Sequence, residues 1–175
     1  MVRLRLHPRL RKRVDPSDVL QEAFLEASAK VERYLQAPAI PFFLWLRRMT
    51  ADALYDVHRH NLGAQGRDAR RERAQGGGSD LEVTTEAMAF HIVSDRSSPS
   101  AAARRKEMKE KVQAALDGLD PKHREILALR VFEQLTSTEA AEVLGTSRDA
   151  AKKRYLRALE HFKDLFGGPL TTDGG

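Results

Sequence analysis

Cysteine is absent from the 175 residues. That excludes a disulfide framework, a cysteine-ligated zinc or iron–sulfur site and a cysteine nucleophile, and it fits a reducing cytoplasm. Aromatic residues are scarce, at 6%. With an apolar set rich in Leu and Ala, this favours helices over sheets. No apolar run approaches the roughly 18 residues that a membrane span needs, so no membrane partner is expected. The opening residues 1–6 are basic but lack the apolar stretch of a secretion signal. The parts of an active site are missing too. The glycines at 76–78 lack the Lys-Ser/Thr of a phosphate-cradling loop, and His58 and His60 lie two apart on one helix, where they diverge. No paired carboxylates and no metal-ligand spacing stand out. The expectation is a chain without enzymatic activity, cofactor or small-molecule substrate.

What the chain does have is charge in blocks. Lys plus Arg total 30 against 25 Asp plus Glu, a net charge of +5, and 41% hydrophobic residues suffice for a core. Arg3, Arg5, Arg9, Arg11, Lys12 and Arg13 crowd the first 14 residues without an acid. A second block runs from Arg47 and Arg48 to Arg73, and a third holds Arg148, Lys152, Lys153, Arg154, Arg157 and Lys163. Such blocks suggest surfaces for a polyanion; the bland alternative is a set of solvated helix faces.

Apolar spacing and caps predict an all-α chain. Asp15 is a plausible N-cap with Pro16 at the first helical position, opening a helix over 16–36. Its apolar stripe is Val19, Leu20, Ala23, Phe24, Ala27, Val31 and Leu35, with Asp18, Gln21, Glu22 and Glu26 opposite. Pro38 and Pro41 break the chain. A second helix covers 42–61, pairing Phe42, Phe43, Trp45 and Tyr55 with Arg47, Arg48 and Arg59. Aromatic faces beside cations suit single-stranded nucleic acid, at about 1–3 kcal/mol per stacked base. For Trp45, in register with Leu46 and Met49, core packing is the better reading; Phe42, Phe43 and Tyr55 stay open. Residues 74–98 contain three consecutive glycines, each costing a helix about 1 kcal/mol relative to Ala, and read as an interdomain linker with a weakly periodic helix inside it. Helices follow over 99–116, 121–132, 137–144 and 147–166, then a disordered tail over 167–175.

Residues 136–163 have the parts of a helix-turn-helix. Ala140 and Ala141 are small where a second helix must cross, Gly145 can supply the positive φ of a tight turn, and Ser147 can cap the next helix. In that helix Ala151, Tyr155, Ala158, Leu159 and Phe162 make an inward stripe, while Arg148, Lys152, Lys153 and Arg157 point elsewhere, as a recognition helix requires. An ordinary antiparallel helix pair with a glycine turn is the alternative.

Three segments together resemble the extracytoplasmic-function sigma factors of bacterial RNA polymerase, in the sigma-70 family. Asp18-Val19-Leu20-Gln21-Glu22-Ala23-Phe24 is similar to that family's Asp-x-x-Gln-Glu-x-Phe stretch. Phe42-Phe43-Leu44-Trp45-Leu46, with Asp52 and Asp56 following, resembles its Phe-x-x-Trp-Leu helix, though Asp52 stands where Asn is usual. Leu119-Asp120-Pro121, leading through Arg130 to Glu139-Ala140-Ala141-Glu142-Val143-Leu144-Gly145, resembles the entry and helix-turn-helix of its second domain. The runs at 14–18 and 62–68 look most like planctomycete-type members.

The resemblance implies two small helical domains on a flexible linker: a region 2-like domain over 1–73, a linker over 74–98 and a region 4-like domain over 99–166. It implies a cytoplasmic, non-enzymatic protein that binds core RNA polymerase and promoter DNA, with an anti-sigma factor as a further partner. Asp18, Gln21 and Glu22 would face the polymerase. Arg48, Asp52, Asp56 and Arg59 would lie near the minus-ten strand. Arg148, Lys152, Lys153, Leu156 and Arg157 would lie at the minus-thirty-five major groove. Departures remain. Only 14 residues precede the first core-binding helix, so the first domain is truncated or minimal. Asp52 would be repelled by phosphate unless it reads a base or pairs with Arg48, and Arg148-Asp149-Ala150-Ala151 leaves the base preference open. A linker of about 25 residues has a relaxed span of roughly 25–30 Å, so it bridges promoter elements only when polymerase holds both domains. A stand-alone helix-turn-helix regulator is the competing reading.

Overall fold

Local chemistry starts the main helices where it should. The computed structural model describes residues 1–7, 9–62, 83–94 and 102–167. Asp15 accepts the Ser17 N–H at 2.8 Å and opens α2 (Pro16–Gln36), after a short α1 (Val2–Arg5). Hydrogen bonding from the Ser17 backbone, and then from its side chain, holds the Asp15 carboxyl below its ordinary range. α3 (Phe42–Leu62) follows the proline break. Then come α4 (Thr85–Ser94), α5 (Ala102–Asp117), α6 (Pro121–Leu127), α7 (Ser137–Val143) and α8 (Arg148–Phe166). Asp120 caps α6 by accepting the Lys122 N–H at 2.7 Å, and Ser147 caps α8 by accepting the Ala150 N–H at 3.2 Å. Among the described residues every regular element is helical, so the fold class is all-α.

The chain divides into two compact units, Met1–Thr84 with Ala141–Thr146, and Thr85–Ala140 with Ser147–Gly175. In the first, α2 packs along α3 and α1 touches both. Val2, Leu6 and Leu10 join Val19, Ala23, Ala53, Leu54 and Tyr55 in one core. The basic N-terminal block is therefore partly structural: its leucines enter the core and Arg5 is fully buried, as is nearly all of Arg47. Arg3, Arg9, Lys12 and Arg13 remain exposed. Thr84 ties down the first turn, donating both its N–H and its hydroxyl to the Leu4 carbonyl at 2.7 and 2.9 Å, while Arg11 donates to the Thr84 hydroxyl at 2.7 Å.

In the second unit α4 packs on α5, and α5 and α6 both pack on α8. The stretch expected as linker over 74–98 thus contains a packed helix. Met88 and Ala89 are wholly buried, the Thr85 hydroxyl donates to Asp117 at 2.6 Å, and Lys109 meets Glu86 at 3.8 Å. The weakly periodic helix expected inside that stretch is held by burial of its apolar residues. Residues 74–82 and 95–98 of that stretch, and 168–175 of the tail, lie outside the described residues.

The helix expected over 121–132 changes pitch. After Leu127 the chain makes a π-helical turn over Ala128–Phe132, with the Glu133 N–H donating to the Ala128 carbonyl at 2.9 Å. Leu129 and Leu135 are both buried, and Gln134, just before Leu135, takes φ +56°. Arg130 locks this turn, donating to the Leu135 carbonyl and stacking its guanidinium 5.2 Å from the Tyr155 ring centroid. Thr136 and Glu139 then form a reciprocal capping box: Glu139 accepts the Thr136 N–H at 2.8 Å, and the Thr136 hydroxyl oxygen accepts the Glu139 N–H at 3.2 Å. The Thr136 hydroxyl and N–H together lower the Glu139 carboxyl. Gly145 does adopt the expected left-handed turn, at φ +59°.

Candidate nucleic-acid interface

On α2 the residues Asp18, Gln21 and Glu22 are all exposed. Beside them the structure corrects the inward stripe. Val19, Ala23 and Ala27 are buried, but Leu20 is 51%, Phe24 68% and Leu25 65% exposed. The reason is geometric. The stripe of seven apolar residues is wider than the face that α3 covers, and the smaller side chains took the close contact. An acidic–amide edge and an apolar strip therefore lie together on the solvent side of α2. The closing Phe of the Asp-x-x-Gln-Glu-x-Phe stretch was the signal for it.

On α3, Arg48, Asp52, Asp56 and Arg59 follow at spacings of four, four and three, which sets them on one side of the helix. Arg48 and Asp56 are exposed, and Arg59 reaches Asp56 at 3.1 Å. Asp52 is half-buried with its Oδ1 shut off from solvent. Near the start of the helix, Trp45 stacks on Tyr34 at 4.8 Å and meets Phe42 at 5.7 Å. Tyr34 is itself pinned, its hydroxyl donating to the Ile40 carbonyl at 2.7 Å. Trp45 is thus a packing residue and Tyr55 belongs to the core, while Phe42 and Phe43 stand half in solvent.

On α8 the structure gathers Arg148, Lys152, Lys153, Leu156 and Arg157, all exposed, away from the buried Ala151 and Ala158. An apolar Leu156 among cations suits a groove that presents both phosphates and thymine methyls. Tyr155 and Phe162 are half-buried, and Leu159 is exposed rather than inward.

A histidine pair joins the N-terminal segment to α3. Nε2 of His58 accepts the His7 N–H at 3.2 Å, and the two rings meet edge-on at 6.4 Å. Burial, and then the neighbouring His7, hold His58 below the ordinary histidine range. Because the folded value is the lower one, the unfolded chain binds more protons, so stability rises with pH. The contribution is complete above the ordinary histidine value, about 6.5, and fades as pH falls through the depressed one. The urea midpoint of the first unit, read by the fluorescence of Trp45, the single tryptophan, is expected to drop between pH 7.5 and pH 5.5. His58→Gln should remove that dependence; an unchanged pH profile in the variant would discard the histidine as its source.

The sequence of residues 109–162 matches the family described as Sigma-70, region 4. The chain is 29% identical over 150 residues to the RNA polymerase sigma-H factor of Pseudomonas aeruginosa, spanning 83% of this chain and 70% of that one. It is 29% identical over 150 residues to the RNA polymerase sigma factor CarQ of Myxococcus xanthus, spanning 86% and 74%. No solved structure matches. An all-helical chain whose matched segment runs from α5 through the cationic α8 defines a DNA-binding transcription-initiation factor. Within that class, the chain is similar over most of its length to RNA polymerase sigma factors, and its residues 109–162 match region 4 of the sigma-70 family.

Proposed function

We propose that the chain acts in the cytoplasm by joining core RNA polymerase and placing it on promoters through two readers, and that it does so by binding alone, without a reaction or cofactor of its own. The observation that carries this reading is the exposed cationic face of α8 within the segment that matches region 4. Arg148, Lys152, Lys153, Leu156 and Arg157 serve the minus-thirty-five duplex. Arg48, Asp52, Asp56 and Arg59 serve the minus-ten strand, and Asp18, Gln21 and Glu22 edge the polymerase contact. The first module spans 1–73 and the second 99–166, with α4 added to the second by its packing on α5. An anti-sigma protein that covered the apolar strip of α2 would silence the factor.

Two weak readers gain by effective concentration once a third body holds both. The free protein is therefore expected to bind promoter DNA poorly and the holoenzyme well. Run-off transcription on a genomic library with core enzyme supplies the cognate promoter. On that promoter Lys152→Ala should lose about 1–3 kcal/mol if it reads a base edge. An equal loss on all sequences, with a flatter salt dependence, would make it a phosphate contact instead. Tight sequence-specific binding by the free chain at physiological salt would favour a stand-alone regulator.

A further inference from the structure

The second unit contains a groove of about 570 Å³ that shares Lys153 and Arg157 with the exposed cationic face of α8 and extends from there to the start of α6. Its walls bring Lys122 and His123 at the start of α6 against Lys153, Arg154, Arg157 and His161 on α8. Four cations line it against one carboxylate, Asp120, whose Oδ1 is engaged in capping α6 through the Lys122 N–H. Among the described residues no carboxylate pairs with any of the four cations. The two imidazole rings sit 4.9 Å apart, edge to face. Nδ1 of His123 is buried and has no hydrogen-bond partner among the described residues.

Unpaired like charges held together by a packed helix pair repel one another, and a polyvalent anion relieves that repulsion. Lysine supplies a point charge, arginine a planar fork matched to phosphate oxygens, and an imidazole N–H a directed donor. We infer that this groove is a phosphate-binding site, held by Lys122, Lys153, Arg154 and Arg157 and oriented by the His123–His161 pair. The volume admits a diphosphate. Two sources offer that chemistry: a backbone phosphate of the duplex that α8 contacts, or the terminal phosphates of a free nucleoside polyphosphate. The first source rests on the proposed DNA-binding role of α8; the groove's affinity for phosphate does not.

The test uses the full chain and inorganic pyrophosphate, with the ring C–H resonances of His123 and His161 followed by NMR. Saturable shifts of both rings are expected, and the double variant Lys122→Gln, Arg154→Gln should lose them at an unchanged melting temperature. Duplex DNA then separates the sources. Competition between pyrophosphate and duplex, with Arg154→Gln weakening every sequence alike and lowering the salt slope by about 0.9 per lost contact, assigns the site to the DNA backbone. Saturable shifts without competition assign it to a free polyphosphate. Absence of a saturable shift overturns the inference. The titration needs neither polymerase nor promoter, so its failure is distinct from a failure of the proposed function.

Discussion

Phe24→Ala is expected to release the chain from core RNA polymerase while leaving its melting temperature unchanged. Phe24 is 68% exposed, between Leu20 and Leu25 in a strip that water covers in the free protein. An apolar row on an otherwise charged helix marks an interaction surface. Truncating a central aromatic anchor in such a surface costs about 2–4 kcal/mol, a weakening of roughly 30- to 1000-fold. The fold has little to lose, since exposed substitutions usually change stability by about 0.5 kcal/mol or less. Co-purification and calorimetric titration with core enzyme give the measurement. A joint change of Gln21 and Glu22 to Ala should weaken binding as well, more so at low salt, because those groups act through charge and hydrogen bonds at the rim. Unchanged affinity in Phe24→Ala would remove this face of α2 from the polymerase contact.

The largest expected effect on stability comes from Leu54→Ala. Leu54 has no exposed surface and sits where α3 meets Val19 and Ala23 of α2 and Val2, Leu6 and Leu10 of the N-terminal segment. Removing a buried leucine's branches from such a site costs about 2–5 kcal/mol. Small domains hold roughly 5–15 kcal/mol in all, so the first unit would become marginal. Trp45 fluorescence should show the urea midpoint falling by about 1–2 M, at the ~1–3 kcal/mol/M typical of small proteins. Promoter-directed transcription should then fail at elevated temperature before it fails in the cold. A midpoint within error of the parent chain would mean that the core closes over the deletion.

Much of this molecule was legible because its signals are local. Asp15-Pro16, Asp120-Pro121 and Ser147 each start a helix by a hydrogen bond that spans two or three residues, and no distant partner can change that chemistry. Gly145 turns left-handed for the same kind of reason. The cations of α8 were legible as a set because spacing alone places them on one side of a helix. The π-helical turn at Ala128–Phe132 had no comparable signal. No glycine or proline marks it, and it is held by Arg130 reaching both Leu135 and Tyr155.

By itself, the sequence determined that the chain is helical, where most helices begin, and which of its segments resemble sigma-factor motifs. Those properties depend on neighbours a few residues away. Only the tertiary structure decided which apolar residues of α2 enter the core and which face water, because adjacent stripes of one helix have the same periodicity. It likewise decided that Arg5 and Arg47 lie inside, that the helix at 85–94 packs on α5, and that Lys122 and His123 meet the cations of α8. Each of these depends on a surface supplied by a distant part of the chain, and no local pattern encodes which surface arrives.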